Sequence, residues 1–249
     1  MKILLVDIGN TNTKLKYNDS EEIITIQTSD KYTPEILEML IPKISSGNVD
    51  GVIVSSVVPK ATLPIKKFLK DRLGLDAMIV SSSTYKGYIK YPTMRDELGS
   101  DMFSSTNGIA KDESTFLSID CGTACTFNLI IDRNYIGTSI APGLASSHRS
   151  LITNASLIQY VNLDSKSIKL LAQNTEDCVR SGSILGWSFM IDGFINAIKE
   201  EYKLDNLKVF LTGGTAHLVF PHLKNEVILS KNLVFKGLES LYELNKEEK

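Results

Sequence analysis

Lys2-Ile3-Leu4-Leu5-Val6-Asp7-Ile8-Gly9-Asn10-Thr11-Asn12-Thr13-Lys14-Leu15-Lys16-Tyr17 runs from an apolar stretch into Asp, bends through Gly and small polar residues, and returns as a second β-rich stretch. Thr115-Phe116-Leu117-Ser118-Ile119-Asp120-Cys121-Gly122-Thr123-Ala124-Cys125-Thr126-Phe127-Asn128-Leu129-Ile130-Ile131 repeats the scheme. Asp7 answers to Asp120, Gly9 to Gly122 and Thr13 to Thr126, each pair 113 residues apart. One Asp-x-Gly bend between apolar runs is an ordinary hairpin, because Gly and Asn suit tight turns. Two copies at a single offset instead predict a duplicated chain whose two lobes face one phosphate-bearing ligand.

The residue types fit that ligand. A strand ending in Asp places a carboxylate where it holds Mg²⁺ or its water shell, which makes Asp7 and Asp120 candidate metal ligands. Gly9 and Gly122 let the backbone approach a phosphate without a Cβ in the way. Successive N–H groups in such a bend form an anion-binding concavity, to which Asn10, Thr11, Asn12, Thr123 and Thr126 add side-chain hydrogen bonds. Lys14, seven residues past Asp7 on the returning strand, is placed to meet a β- or γ-phosphate.

Outward from the two hairpins, the first half reads as a third strand at Glu22–Thr28, a helix at Pro34–Ile44 capped by Thr33, a buried strand at Val49–Val57, a helix at Leu63–Leu73 and a strand at Ala77–Ser81. That βββαβαβ order is the one in each half of the actin, hexokinase and Hsp70 nucleotide-binding folds. The second half follows suit, with a strand at Tyr135–Ile140, a long helix at Glu176–Tyr202 opened by Asn174-Thr175, and a strand at Leu207–Leu211 running into Thr212-Gly213-Gly214-Thr215. The expected fold is α/β, two duplicated actin-like (ribonuclease H-like) lobes, bounded at 1–112 and 113–249. Gly182, Gly186 and Gly193 cost the long helix about 2–3 kcal/mol relative to Ala, and close backbone packing is the expected reason for them.

Composition narrows the function. At 249 residues, 43% hydrophobic and 22% charged, the chain is an ordinary soluble globular protein of two domains. A net charge of −2 without a Lys/Arg stripe gives no footprint for nucleic acid. No apolar run reaches membrane-spanning length. Cys121, Cys125 and Cys178 lack metal-ligand spacing, and an odd count without a secretory leader points to the cytoplasm. The first two read as small buried thiols. His148, His217 and His222 are scattered, and zinc is not expected.

The ordered motifs resemble the type III pantothenate kinase family almost end to end. Asp7-Ile8-Gly9-Asn10-Thr11 and Asp120-Cys121-Gly122-Thr123-Ala124-Cys125-Thr126 match its two phosphate motifs. Leu98-Gly99-Ser100-Asp101 resembles its Gly-x-Asp segment, and Ile140-Ala141-Pro142-Gly143-Leu144, Asn174-Thr175, Thr212-Gly213-Gly214 and Lys236-Gly237-Leu238 follow in the family's order. The resemblance implies ATP-dependent phosphorylation of pantothenate by a homodimer with Mg²⁺. From the residues alone, Asp101 reads equally as a helix cap or as a base, since Ser100-Asp101 opens a helical pattern; the resemblance selects the base. A helix N-terminus is expected to keep that carboxylate ionised, as an orienting acceptor rather than a strong base.

The resemblance also places Tyr91, Gly99, Ser100, Met102 and Thr175 near pantothenate and Gly213 and Gly214 near the adenosine end of ATP. Two positions depart from the family. Met102 stands where an Arg is usual, with Lys90 or Arg95 as compensating cations. Asn128 stands where an Asp associated with a monovalent cation (K⁺ or NH₄⁺) is frequent. A non-catalytic nucleotide-binding relative acting as a regulator or accessory factor is the alternative that Met102 motivates. A small sugar kinase of the same superfamily is a third, weakened by the short chain.

Overall fold

The computed structural model describes residues 1–42, 44, 49–81, 86–91, 97–164 and 168–246. Two compact units divide the chain: Met1–Ser114 with Arg133–Tyr135 and Asn232–Lys249, and Thr115–Asp132 with Ile136–Lys231. No helix among the described residues is long and apolar enough to cross a membrane.

The first unit contains β1 (Ile3–Ile8), β2 (Asn12–Tyr17), β3 (Ile23–Gln27), α1 (Pro34–Leu40), β4 (Gly51–Ser56), α2 (Pro59–Leu73), β5 (Met78–Ile79) and α3 (Ser100–Ala110). Its sheet runs β3-β2-β1-β4-β5. β1 is antiparallel to β2 and parallel to β4, and is apolar and buried from Ile3 to Val6 because both of its faces are covered. On one face Leu4, Val6, Ile8, Leu15, Val52 and Val54 pack with Leu37, Ile65 and Leu69.

The second unit contains β6 (Phe116–Cys121), β7 (Ala124–Ile131), β8 (Asn134–Pro142), α4 (Leu144–Asn154), α5 (Thr175–Tyr202), β9 (Lys208–Thr212), the short α6 (Ala216–Val219), a 3₁₀ turn at Phe220–His222, and β10 (Ile228–Leu229). The order β10-β9-β6-β7-β8 repeats the first sheet strand for strand, with β6 in the place of β1 and β9 in that of β4. Leu117, Ile119, Phe127, Leu129 and Leu211 pack against Ile191 and Ile195 of α5, and Phe127 stacks on Phe194 with ring centroids 4.2 Å apart. Cys121 and Cys125 are buried in this core, as expected.

The chain then leaves the second unit. α7 (Leu233–Asn245) belongs to the first, packed along α3 and against β1 and β4. The 1–112/113–249 division therefore differs from the compact units at the last helix. A hydrophobic helical face carries no address, and only the tertiary packing shows which core receives it.

Several boundaries shift for local reasons. α1 stops at Leu40 instead of Ile44, because Pro42 bars Ile41 from the helical region; Ile41 has φ −129° and ψ 51°. Its start is as expected, with the Thr33 hydroxyl accepting from the Ile36 N–H at 3.3 Å. α2 starts at Pro59 rather than Leu63 and runs through Pro64, ending on Gly74 at φ +71°. In α5 the close backbone packing expected at Gly182, Gly186 and Gly193 is not found within the chain: a Cβ at any of them would meet nothing within 4 Å among the described residues.

Pro64 removes one hydrogen bond from α2 and crowds the preceding turn. Replacing it by Ala is expected to stabilise the protein by about 1–3 kcal/mol, read as a shift of the urea midpoint at unchanged slope.

Candidate active site

β1 delivers Asp7 to the end of the first sheet, where it stands opposite Lys14 of β2 and beside Ser55 of β4. The bend after it closes by a Gly9 N–H to Asn12 carbonyl bond of 3.0 Å, leaving Asn10, Thr11 and Asn12 exposed at the tip. Thr28 braces the bend from behind: its hydroxyl donates to the Gly9 carbonyl (2.7 Å) and lies 2.9 Å from the Thr13 hydroxyl. Thr13 is wholly buried, so it supports the turn rather than lining it.

The second bend is one residue tighter. Gly122 N–H reaches the Ala124 carbonyl at 3.0 Å, and Asp120 stands opposite Thr126. The constant offset of 113 therefore fails beyond the turn: Thr126 holds the register that Lys14 holds in the first unit, and Thr13 corresponds to Cys125. Only the first bend brings a cation. Gly213 follows β9 at φ +101° and lies so close to the Asp120 carboxylate and the Cys121 backbone that a Cβ would fall 2.5 Å from each. Thr215 locks this turn, its hydroxyl donating to the Cys121 carbonyl at 2.9 Å.

Gly143 and Ser146 complete the second bend, and sequence reasoning gave them no role. The Gly143 N–H and Ser146 hydroxyl both donate to the Thr123 carbonyl, at 2.9 and 2.8 Å. A side chain at Gly143 would run into the Gly122 and Thr123 carbonyls. The Pro142-Gly143 step before a helix was the available signal; nothing marked Ser146.

Asp101 occupies the first turn of α3, whose cap is Gly99. Its Oδ1 accepts from the Met102 N–H at 2.7 Å. Burial pushes its pKa above the ordinary 3.8, with hydrogen bonds from the Met102 and Asp101 backbone opposing the shift. The backbone hydrogen bonds at the helix start act in the direction expected of a helix terminus, but desolvation is the larger effect. Gly99 leaves the space the carboxylate uses, since a Cβ there would fall 2.6 Å from Asp101 Oδ1 and 3.6 Å from Met102 Cε.

Other expected site residues sit differently. Ser100 is buried with its hydroxyl bonded to Ser55 and Ser56. Tyr91 packs behind α3, its ring 5.4 Å from Phe103 and 5.3 Å from Tyr135 and its hydroxyl 3.0 Å from the Thr106 hydroxyl; burial drives its pKa upward. Lys90 is tied by its backbone to Arg133 and Tyr135, and Arg95 lies outside the described residues. Thr175, exposed at the start of α5, borders a cavity of about 590 Å³ lined also by His148, Asn174, Cys178, Ser183 and Trp187. Neither Asp101 nor either phosphate bend lines that cavity. Asn128 donates to the Thr126 hydroxyl at 3.2 Å, while its Oδ1 and the hydroxyl of Ser118, its cross-strand neighbour, are buried without partners among the described residues.

A repeated mixed sheet with an aspartate and a glycine bend in each copy is the duplicated actin-like fold. The solved structure of a ROK family glucokinase from Streptomyces griseus, in complex with glucose and AMPPNP, shares the fold at TM-score 0.54 and 12% identity, over 98% of this chain and 99% of that one. The chain belongs to the type III pantothenate kinase family, whose model matches residues 3–197. Type III pantothenate kinases of Pelagibacter ubique and Geotalea uraniireducens are 32% and 30% identical to it, over 95% and 98% of this chain and 96% and 99% of theirs. The activity is phosphorylation of pantothenate to 4′-phosphopantothenate, the first step of coenzyme A biosynthesis.

Gly213→Ala forces a side chain into a left-handed backbone and against Asp120. It is expected to cost about 1–3 kcal/mol, measured by chemical denaturation, with Gly214→Ala, which meets nothing within 4 Å, as the milder comparison.

Proposed function

We propose that phosphoryl transfer uses ATP as donor and Asp101 as the base, the observation that carries the reading being a half-buried carboxylate in the first turn of α3 whose pKa is raised by desolvation. The primary hydroxyl oxygen of pantothenate attacks the γ-phosphorus, its proton passes to Asp101, and the bond to the bridging oxygen breaks with ADP leaving on that electron pair. Such a step depends mostly on alignment and charge neutralisation. Asp7, Gly9, Asn10, Thr11, Asn12 and Lys14 of the first unit bind phosphate, as do Gly122, Thr123 and Thr126 of the second. Gly213 and Gly214 approach the adenosine end. Asp7 in the first unit and Asp120 in the second are the carboxylates that would hold Mg²⁺, which would supply positive charge against the polyphosphate. The partnerless Asn128 Oδ1 fits a neutral oxygen ligand for K⁺ or NH₄⁺. Gly99 and Met102 face pantothenate, with Tyr91 and Ser100 supporting from behind; Thr175 is assigned to that substrate by the family resemblance.

Met102 takes on a specific meaning here. Its thioether methyl reaches back beside Gly99, where an Arg in this position would bring a cation next to the carboxylate. An apolar neighbour keeps Asp101 desolvated and its pKa up; a guanidinium would bring it down. A coupled ADP-release assay with pantothenate and a panel of sugars tests the assignment. Turnover is expected with pantothenate alone, and none from the folded protein would favour the regulator that Met102 otherwise motivates. Asp101→Asn is expected to lower kcat by about a hundredfold or more while ATP binding persists. Because Asp101 works deprotonated, activity falls as pH drops through its raised pKa. Met102→Arg is expected to move that acid limb to lower pH, and an unmoved limb would detach the limb from Asp101.

The working form is a homodimer in the cytoplasm. Gly182, Gly186, Phe189 and Gly193 form one exposed stripe along α5, and Leu151, Leu157, Leu170 and Leu171 are exposed elsewhere in the second unit. A bare stripe of small residues with an aromatic suits close helix packing across a subunit interface. Gly186→Glu is expected to convert the dimer to monomer in sedimentation velocity without unfolding it.

A further inference from the structure

Ser100 precedes Asp101 by one residue, and its hydroxyl has no capacity left for a ligand. It donates to the Ser56 carbonyl at 2.8 Å and accepts from the Ser56 N–H at 2.8 Å and the Ser55 hydroxyl at 3.0 Å. One donor and two lone pairs are all that a hydroxyl offers. Ser55 in turn lies beside Asp7 in the parallel β1–β4 ladder. The start of the helix that bears Asp101 is thereby fastened to the strand ends that bear Asp7.

Further along, the same helix is held by an unusually close crossing. A Cβ on Gly108 would fall 2.8 Å from the Gly237 N and the Leu233 carbonyl of α7, and one on Gly237 would run into the Ser104 carbonyl. α7 itself rests on β1 and β4. Both fixings refer α3 to one pair of strands.

We propose that Ser100 is a positioning residue for phosphoryl transfer: its hydroxyl fixes the start of α3 on the β1–β4 strand ends and so sets where the Asp101 carboxylate stands relative to Asp7, with the Gly108–Gly237 crossing holding the helix behind it. The inference rests on the reading of Asp101 as the base. Misplacing a reacting group by about 1 Å costs up to a hundredfold in rate, while ATP affinity, set by the glycine bends, is untouched.

The experiment is steady-state kinetics on the full chain. Ser100→Ala is expected to lower kcat about ten- to a hundredfold with the KM for ATP nearly unchanged, and Ser100→Thr, which keeps the hydroxyl, to recover most of the rate. Ser55→Ala, which leaves both Ser56 bonds in place, gives a smaller loss of the same kind and serves if Ser100→Ala does not fold. In an Asp101→Asn background Ser100→Ala adds no further loss, because it acts through that carboxylate. A folded Ser100→Ala or Ser55→Ala enzyme with unchanged kcat overturns the proposal, as does a loss that Ser100→Thr shares in full. Full activity of Asp101→Asn alone would instead overturn the base assignment, so the two failures are told apart.

Discussion

Each sheet is organised around a central strand that has an antiparallel hairpin partner on one side and a parallel partner on the other. β1 and β6 therefore satisfy their backbone groups on both edges, bury side chains on both faces, and carry a half-buried aspartate as their next-to-last residue. A carboxylate is tolerated there because it is only half-buried, and it is well placed because the strand that bears it is paired on both edges. The glycine bend, the bracing Thr28 or Gly143, and the parallel neighbour that leads to Ser55 or to Gly213 all refer back to that strand end.

The duplication is not a copy of chemistry. Both units present an Asp and a glycine bend, yet the second bend is tighter by one residue and brings Thr126 where the first brings Lys14. The first unit also carries Asp101, the proposed base, on a helix fixed to β4. The second supplies a glycine turn after β9 that leaves no room for a side chain against Asp120. Similar backbones thus carry unlike groups, a lysine opposite the aspartate in one and a close approach of the main chain to it in the other.

The sequence made the hairpins, their aspartates and the strand order legible because alternation and apolar runs are local signals. Boundaries near prolines were less so: the helix expected from Leu63, with Pro64 beside its start, begins at Pro59 and passes through that proline, whereas Pro42, which does end α1, was read through. The matched spacing of Thr13 and Thr126 was a coincidence of counting, since one residue gained or lost in a turn exchanges the two faces of the returning strand. The elevated pKa of Asp101 was invisible, because it depends on what surrounds the helix start rather than on the helix itself. Gly143 and Ser100 acquired their places only through partners twenty or more residues away.

The return of α7 to the first unit bears on synthesis. During translation β1 through α3 emerge long before the helix that must lie along them, so the first unit waits with the apolar side of α3 uncovered while the whole second unit is made. The second unit is free to fold first, against the usual N-to-C order. A ribosome stalled upstream of Leu233 would hold a nascent chain whose second unit is finished and whose first is not, and that intermediate is the one a chaperone would meet.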